Sequence, residues 1–347
     1  MDIFNIYLPI AGIEFNAMLL VLIGFCVGVL GGFFGVGGGW IVTPALNIFG
    51  FQMAFAIGTD LSNIFGQTIG AVKKHQKMGN IDWKLGLISI ATSIVGLEIG
   101  SEVIIALEKA GEVGMIVRWC YMVLLWGLGS YMMHDYLTMR PKELKSNAKE
   151  QVRTSENAPE NARPKISERL HRINIPPMIS FPSSGIEGVS IWIILLVFLF
   201  TGFLSGFLGV GGGFIIMPAL VYLIGLPTAV AVGTSLVTVL FSGAYGCFTY
   251  ALKGRVEMIA AVILLVGSAI GVQIGATAVK YIKGYGIRLL FAVMILLAGC
   301  SIAIEQVYKL TGIAVYSTTA GFVIMGTALC MVLIIIARMV LEAKKGK

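Results

Sequence analysis

Charged side chains are scarce in this sequence, and their scarcity excludes a soluble globular chain. Asp, Glu, Lys and Arg make up 12% of the 347 residues, whereas hydrophobic residues make up 57%. Soluble domains carry roughly twice that charged share. Several apolar runs reach about 20 residues, the length at which a helix crosses a hydrocarbon core of about 30 Å. Because these runs do not alternate with polar residues, they predict an all-α integral membrane protein and not a β-barrel.

Paired cysteines and clustered histidines are also lacking. The five cysteines stand singly in apolar segments, without disulfide or metal-ligand spacing, and the three histidines lie in or beside predicted loops. A membrane-embedded enzyme would need a nucleophile with its base, or a metal set, within the spans. The sequence offers neither. We therefore expect no metal site, no cofactor and no enzymatic activity.

Basic residues are missing from the start of the chain. No Lys or Arg precedes Lys73, so the sequence predicts no cleavable signal peptide. The formal charge of +7 comes from basic residues in loops and near the end of the chain, not from a face that could follow phosphates. We therefore expect contact with membrane lipid and exclude nucleic acid as a partner.

Hydrophobic segments divide the chain into two similar halves around a polar stretch. The predicted domains are a first membrane repeat at 1–137, a polar cytoplasmic linker at 138–188, a second repeat at 189–304, and an extra transmembrane helix with a basic tail at 305–347. The predicted helical segments are 15–36, 40–50, 53–73, 84–107 and 114–137, followed after the linker by 189–210, 214–225, 228–252, 257–280, 286–304 and 314–338.

A glycine-rich stretch occurs in both halves. The order of glycines, apolar residues and proline at 32–46 returns at 206–220, an offset of 174. One inserted residue makes the offset 175, and Gly58-Thr59 then aligns with Gly233-Thr234. Matches spread over this distance predict an internal duplication. Glycines with small-residue spacing can simply allow close helix packing, but that alternative does not explain a recurring break followed by a short proline-bearing helix.

The distribution of basic residues indicates how the two copies are oriented. If the segments flanking the glycines form a hairpin, each half makes an odd number of crossings and the repeats are inverted. If they form one broken span, the repeats are parallel. With the linker cytoplasmic, the inverted arrangement leaves Lys253 and Arg255 outside. The parallel arrangement instead leaves outside Lys280, Lys283, Arg288, Arg338, Lys344, Lys345 and Lys347.

We therefore expect inverted-topology repeats with discontinuous or hairpin helices at the glycine motifs. The expected location is the plasma membrane as a multi-pass protein, with the N-terminus outside and both the linker and the C-terminus cytoplasmic. In such transporters, broken helices meet near the bilayer midplane, and their N-termini face an anionic substrate.

Polar and charged side chains inside the spans complete the predicted site. Charge is costly in lipid, so a residue that carries it there is a candidate for function. Asp60, Asn63 and Gln67 share one helical face, whereas the second copy offers hydroxyls. Bonding between neighbouring helices is the alternative role for each of these groups. Asp60 and Glu98 are candidates for proton coupling. The predicted substrate-binding residues are Gly35, Gly37, Gly38, Gly39, Trp40, Thr59, Asp60, Asn63 and Gln67 in the first copy, and Gly209, Gly211, Gly212, Gly213, Phe214, Thr234, Ser235 and Thr238 in the second.

These motifs resemble the sulfite exporter TauE/SafE family of membrane proteins. The resemblance rests on the doubled glycine motif followed by Pro-Ala-Leu and on the two Gly-Thr pairs, and it covers nearly all of the chain except the linker. It implies a secondary transporter or exporter of small sulfur-containing anions, such as sulfite, sulfoacetate or a related organosulfonate. A transporter or channel for another solute, such as a metal cation or an amino acid, is the alternative, and a homodimer is left open.

Overall fold

The computed structural model describes residues 4–111, 113–150, 175–181, 186–209, 211–282 and 284–345, with backbone alone for 139–150. The elements of the first half are β1 (Asn5–Leu8), β2 (Ile13–Asn16), α1 (Ala17–Phe34), α2 (Gly39–Ile48), α3 (Met53–Lys77), α4 (Trp83–Lys109) and α5 (Val113–Glu150). Those of the second half are β3 (Met178–Phe181), β4 (Ile186–Ser190), α6 (Ile191–Leu208), α7 (Gly213–Ala219), a π-helical turn (Leu220–Ile224), α8 (Thr228–Leu252), α9 (Met258–Ala278), α10 (Gly284–Thr311) and α11 (Ala314–Lys345).

Every predicted hydrophobic segment is helical, and within the described residues eight helices are long and apolar enough to cross a membrane. These are α1, α4, α5, α6, α8, α9, α10 and α11. The chain is thus a multi-pass helical membrane protein. Helix α3 is not among these eight, although it is as long as its equivalent α8. It carries the polar face and ends in Lys74, His75 and Lys77.

Two of the proposed domain boundaries fall inside helices. Helix α5 continues to Glu150, so the proposed linker at 138–188 begins within it, and most of the rest of the linker lies outside the described residues. Helix α10 passes the proposed boundary after residue 304 and ends at Thr311. The hydrophobic run stops at Glu305 and Gln306, but both side chains are buried against other helices, so the helix continues.

A short β-hairpin precedes each half, a feature that the sequence did not predict. Strands β1 and β2 pair antiparallel, as do β3 and β4. The first hairpin lies where the start of α1 meets the end of α2. Phe15 packs edge-on against Phe49 and Phe51, with ring centroids 6.3 and 5.6 Å apart. The end of α2 therefore lies beside the start of α1, and the two helices form a returning hairpin.

The first helix of each half packs along the fourth helix of the other half. A Cβ on Gly24 would lie 2.1 Å from the carbonyl oxygen of Leu264, and one on Gly96 would lie 2.1 Å from that of Leu199. Gly28, Gly202 and Gly206 make equally close backbone contacts across these pairs. The small-residue packing alternative is therefore right for these glycines, because only a hydrogen side chain admits such an approach.

The equivalent helices α3 and α8 cross at the centre and run antiparallel. As the residue number rises along α3, the residue number of its partner on α8 falls: Gly58 meets Tyr250, Leu61 meets Gly246, and Ile64 meets Gly243. Helices α1 and α9 instead run parallel, since the contacts of Gly24, Gly28 and Gly32 ascend through 264, 268 and 272. These directions place both glycine motifs beside the crossing of α3 and α8.

Candidate functional site

Both glycine motifs end one helix and begin another with left-handed backbone. Gly35, at φ 75°, closes α1 through a 2.9 Å bond from its N–H to the Gly31 carbonyl. Gly38, at φ 87°, precedes α2. Gly209 at φ 73° and Gly212 at φ 76° do the same between α6 and α7. Residues with a Cβ rarely adopt this region, so the recurring glycines have a direct backbone cause.

The two breaks converge on one pair of side chains. A Cβ on Gly37 would lie 2.7 Å from Val239 and 3.1 Å from Ile64, and a Cβ on Gly211 would lie 3.2 Å from Ile64 and 3.3 Å from Val239. Ile64 and Val239 occupy equivalent positions on α3 and α8, 175 residues apart. The breaks also touch each other, since a Cβ on Gly213 would lie 2.5 Å from the Cα of Val36.

Polar side chains of α3 and α8 hold the first break in place. The Gln67 amide nitrogen donates to the Gly37 carbonyl, and the Ser235 hydroxyl donates to the Gly35 carbonyl at 2.7 Å. Asp60 is fully buried and accepts a 2.9 Å bond from Thr43 of α2. These three predicted residues thus lie together at the break.

Several buried polar atoms beside the breaks have no hydrogen-bond partner among the described residues. They include Asp60 Oδ1, Asn63 Nδ2, Gln67 Oε1 and Trp40 Nε1. The amide oxygen of Asn63, Oδ1, accepts a 2.8 Å bond from the Ser268 hydroxyl. A buried polar atom without a partner costs about 1–3 kcal/mol, so such atoms usually meet a ligand or water. The polar face of α3 therefore has unused hydrogen-bonding capacity.

Each of the two Gly-Thr pairs contacts the loop that precedes a helix of the other half. The Thr59 hydroxyl accepts a 3.0 Å bond from the Glu257 N–H, just before α9. Its equivalent, Thr234, accepts a 2.9 Å bond from the Asp82 N–H, just before α4. Gly58 and Gly233 face backbone carbonyls of the same two loops, those of residues 255 and 80. Substrate binding by Thr59 and Thr234 stays a prediction, and their oxygens already serve these contacts.

The remaining predicted residues are distributed around this centre. Thr238 exchanges a 2.6 Å bond with Ser89 of α4, and Trp40 and Phe214 are fully buried near the starts of α2 and α7. Glu98 lies apart from the Asp60 group and accepts a 3.4 Å bond from Thr249. Gly39 begins α2 as Gly213 begins α7. Within the described residues, no cluster of His, Cys, Asp and Glu could hold a metal ion.

Sequence reasoning missed Thr43, Ile64 and Val239. Thr43 lies inside the glycine motif immediately before Pro44, but its equivalent is Met217, so symmetry did not indicate it. Ile64 and Val239 read as ordinary apolar helix residues. Their equivalence at the offset of 175 was visible in the sequence, and only the crossing of α3 with α8 reveals what it means.

Comparisons with known proteins identify a family and several relatives named as membrane transporters. A family model described as "Sulfite exporter TauE/SafE" matches residues 20–302. The "Probable membrane transporter protein YunE" of Bacillus subtilis is 25% identical over 300 residues, covering 84% of this chain and 99% of that protein. A "Probable membrane transporter protein" of Methanocaldococcus jannaschii is 29% identical over 212 residues, covering 58% and 60%. Another, of Xylella fastidiosa, is 27% identical over 259 residues, covering 73% and 80%. No solved structure matches.

The convergence of the breaks predicts the effect of adding one methyl group. Gly37 and Gly79 both have a φ of 71°, but an added Cβ meets Val239 at 2.7 Å only at Gly37. Gly37→Ala and Gly79→Ala should share a backbone strain of about 1–2 kcal/mol. Gly37→Ala should lose about 1–3 kcal/mol more through overpacking, measured by thermal unfolding of the purified protein.

A second substitution tests whether the stability lost by Gly37→Ala can be restored. Adding Val239→Ala removes the obstructing methyl group, so the double variant should recover part of the stability lost by Gly37→Ala. Equal melting temperatures for the Gly37→Ala and Gly79→Ala variants would contradict the packing described above.

Proposed function

Because the chain belongs to the sulfite exporter TauE/SafE family, we propose that it is a secondary transporter of small sulfur-containing anions in the plasma membrane. Sulfite, sulfoacetate and related organosulfonates are the expected substrates. The observation that carries this proposal is the meeting of the two glycine breaks at Ile64 and Val239, beside unpartnered polar atoms of α3. The curated relatives are named as membrane transporters, which supports transport in general and leaves the anion to be tested.

The substrate site would lie where the breaks meet. A helix that begins inside a membrane protein directs free N–H groups and a partial positive charge towards its start, which favours an anion. The indole N–H of Trp40 and the amide of Asn63 are further unpartnered donors. In the second copy, Ser235 and Thr238 place hydroxyls on the equivalent face of α8, and these would join the site by exchanging their bonds to Gly35 and Ser89 for an anion oxygen. Together, these groups would bind oxyanion oxygens without a buried Lys or Arg.

The two repeats would be inverted. Their equivalent third helices, α3 and α8, run antiparallel in direct contact. The hairpin of α1 and α2 returns to its starting side, where Phe15 meets Phe49. Each half then makes an odd number of crossings, as the distribution of basic residues requires. This arrangement supports the division into two membrane repeats joined by the polar linker.

In this topology the residues before α1 lie outside, and the linker and the end of α11 lie in the cytoplasm. The basic residues on the outer side, against the positive-inside rule, then include Lys253 and Arg255. Both are paired there: Lys253 with Glu102 at 2.7 Å and Arg255 with Glu108 at 3.0 Å. Local pairing offsets their charge, so they are weak evidence against this orientation.

Asp60 is the stronger candidate for coupling anion movement to a proton. Its carboxylate is fully buried, bonded to Thr43 and next to Asn63, and one oxygen is unpartnered. The titratable group facing it from another element is Tyr121 of α5. A charged carboxylate beside an anion site is repulsive, so protonation would favour occupancy by the anion. Its equivalent in the second copy, Ser235, cannot supply a second carboxylate for a cation.

The substrate class is tested by ligand stabilisation followed by flux. Purified protein should melt at a higher temperature in sulfite, sulfoacetate, thiosulfate or taurine than in chloride, because a ligand that binds only the folded state stabilises it. A positive anion should then move across the membrane of liposomes that contain the protein. Sulfate and a divalent metal cation complete the panel, and a response to the cation alone would replace this proposal with cation transport.

The inverted arrangement is tested with cysteines at two equivalent glycines. Gly79 and Gly254 both have positive φ and open space around an added Cβ, so Gly79→Cys and Gly254→Cys carry the same strain. In a background without native cysteines, a membrane-impermeant maleimide added to intact cells should label Gly254→Cys only. Gly79→Cys should react after lysis. Labelling of both positions from the same side would mean that the repeats are parallel.

Proton coupling is tested by the pH dependence of transport. Asp60→Asn keeps the size of the side chain and its contact with Thr43 but cannot take up a proton, so flux should lose its dependence on pH. Glu98→Gln serves as the matched comparison, since Glu98 bonds to Thr249 away from the breaks. A wild-type pH profile in the Asp60→Asn variant would exclude Asp60 as the coupling group.

A further inference from the structure

Further equivalent residues lie outside the glycine motifs, on α5 and α10. With an offset of 170, Arg118 corresponds to Arg288, and Asp135 corresponds to Glu305. Gly129 and Gly299 keep the same offset and lie where the two helices pack together. Because α5 and α10 run antiparallel, Arg118 lies near Glu305 and Arg288 near Asp135. Arg288 thus forms an ion pair with Asp135 at one end of the helix pair, whereas at the other end Arg118 lies near Glu305, which pairs with Lys309 at 3.5 Å.

Arg118 is partly exposed and is held by neutral oxygens. Its Nε donates to Gln306 Oε1 at 2.7 Å, and its Nη1 donates to Asn47 Oδ1 at 3.3 Å. Asn47 lies near the end of α2, so the guanidinium reaches the outer end of the first returning hairpin. The bond to Asn47 is long, and a guanidinium exchanges such a neutral acceptor readily for an anionic oxygen.

Arg288 has matching surroundings at the other end. Its Nε donates to Thr228 Oγ1 at 3.2 Å, and its Nη1 lies 3.7 Å from Asp135 Oδ2. The Tyr222 hydroxyl faces the same pair from the π-helical turn that follows α7. The Arg288 side chain is 20% exposed. Each arginine thus contacts a polar side chain of the partner helix, Gln306 for Arg118 and Asp135 for Arg288, and lies beside polar groups near the end of one returning hairpin.

A small cavity lies beside Arg118. It is lined by Pro44, Asn47, Arg118, Tyr121 and Glu305 among others. Pro44 follows Thr43, the partner of Asp60. The Tyr121 hydroxyl donates at 2.7 Å to the carbonyl of Leu208, the residue before Gly209. Two residues that line this cavity therefore adjoin or contact residues next to the groups at the breaks.

We propose that Arg118 and Arg288 are the two entry sites for the transported anion, one at each mouth of the pathway. This inference rests on the proposed function and names the residues that first capture its substrate. A small oxyanion would bind in the guanidinium plane, because the planar donor fork matches two oxygens of such an anion. Gln306 and Asn47 hold the Arg118 guanidinium, and Thr228 and Asp135 hold that of Arg288. The anion would replace these acceptors in exchange, which keeps capture reversible.

The rival role for these residues is structural: the Arg118–Gln306 hydrogen bond and the Arg288–Asp135 ion pair would clamp α5 to α10. The roles differ in sidedness. A clamp affects folding and both transport directions together, whereas an entry site governs apparent affinity for anion presented from one side. By the topology proposed above, Arg118 serves the outer mouth and Arg288 the cytoplasmic mouth.

The test measures sulfite uptake into right-side-out and inside-out membrane vesicles. In Arg118→Gln, the apparent KM for sulfite presented from outside should rise about 10-fold or more, the effect of losing one charge-assisted contact. The KM from the cytoplasmic side should change less than about 2-fold. Arg288→Gln should give the reverse pattern. Arg118→Lys and Arg288→Lys, which keep the charge without the fork, should give intermediate values.

Arg255→Gln is the matched control. It removes an arginine that is paired with a carboxylate, Glu108, on the same side as Arg118, but Arg255 does not line the cavity. Its KM should equal that of the wild type from both sides. Melting temperatures of all variants are measured in parallel, and the Lys variants provide folded protein if a Gln variant does not fold.

Two results would overturn the inference while leaving the proposed function intact. In one, wild-type vesicles transport sulfite and the Arg118 and Arg288 variants match Arg255→Gln. In the other, each variant lowers the melting temperature and the maximal rate equally from both sides with KM unchanged, which identifies a clamp. If wild-type protein moves no sulfur anion in either vesicle type, the proposed function fails and this inference fails with it.

Discussion

The interrupted backbone at the two glycine motifs is the constraint on which the remaining architecture depends. In lipid, a backbone polar group without a partner costs several kcal/mol, so a helix can stop inside the membrane only where protein surrounds the break. Here each break lies against the crossing of α3 and α8 and against the other break. Val36 meets Gly213 at the contact between them. This one region is enclosed by the third helices, by the paired first and fourth helices, and by the contacts of the two Gly-Thr pairs.

The two halves keep the same backbone but differ in the chemistry of their side chains. At equivalent positions, α3 carries Asp60 and Asn63, whereas α8 carries Ser235 and Thr238. Backbone geometry is under a steric constraint, since a Cβ at Gly37 or Gly211 would meet the same two residues. The polar positions have no such constraint, so the halves could diverge there. The carboxylate is confined to one copy, which gives the centre a chemical asymmetry within a symmetric frame.

The sequence predicted the helices well because long apolar runs in a membrane protein permit few other structures. It predicted the breaks because glycine in an apolar helix needs a reason, and positive φ at Gly35 and Gly38 supplies it. It did not predict the hairpins before α1 and α6, since such short strands have no periodicity to read.

Roles that depend on contacts between distant segments were also beyond the sequence. Substrate binding by Thr59 stays a prediction, whereas the bond that its oxygen accepts from the N–H of Glu257, a residue 198 positions away, could not be read from the sequence. The bond from Arg118 to Gln306 depends on the antiparallel packing of α5 and α10. The duplication was firm from sequence, whereas the way in which its copies interlock was visible only in three dimensions.

That interlocking has a consequence for motion. Helix α1 packs along α9 and helix α4 along α6, each through glycines so close to the opposing backbone that sliding or separation would break many contacts at once. The bodies that move during transport would therefore not be the two sequence halves. One would contain α1 with α9, the other α6 with α4, each assembled from both copies of the duplication. Neither half could form such a body alone, because each body takes its first helix from one half and its fourth helix from the other.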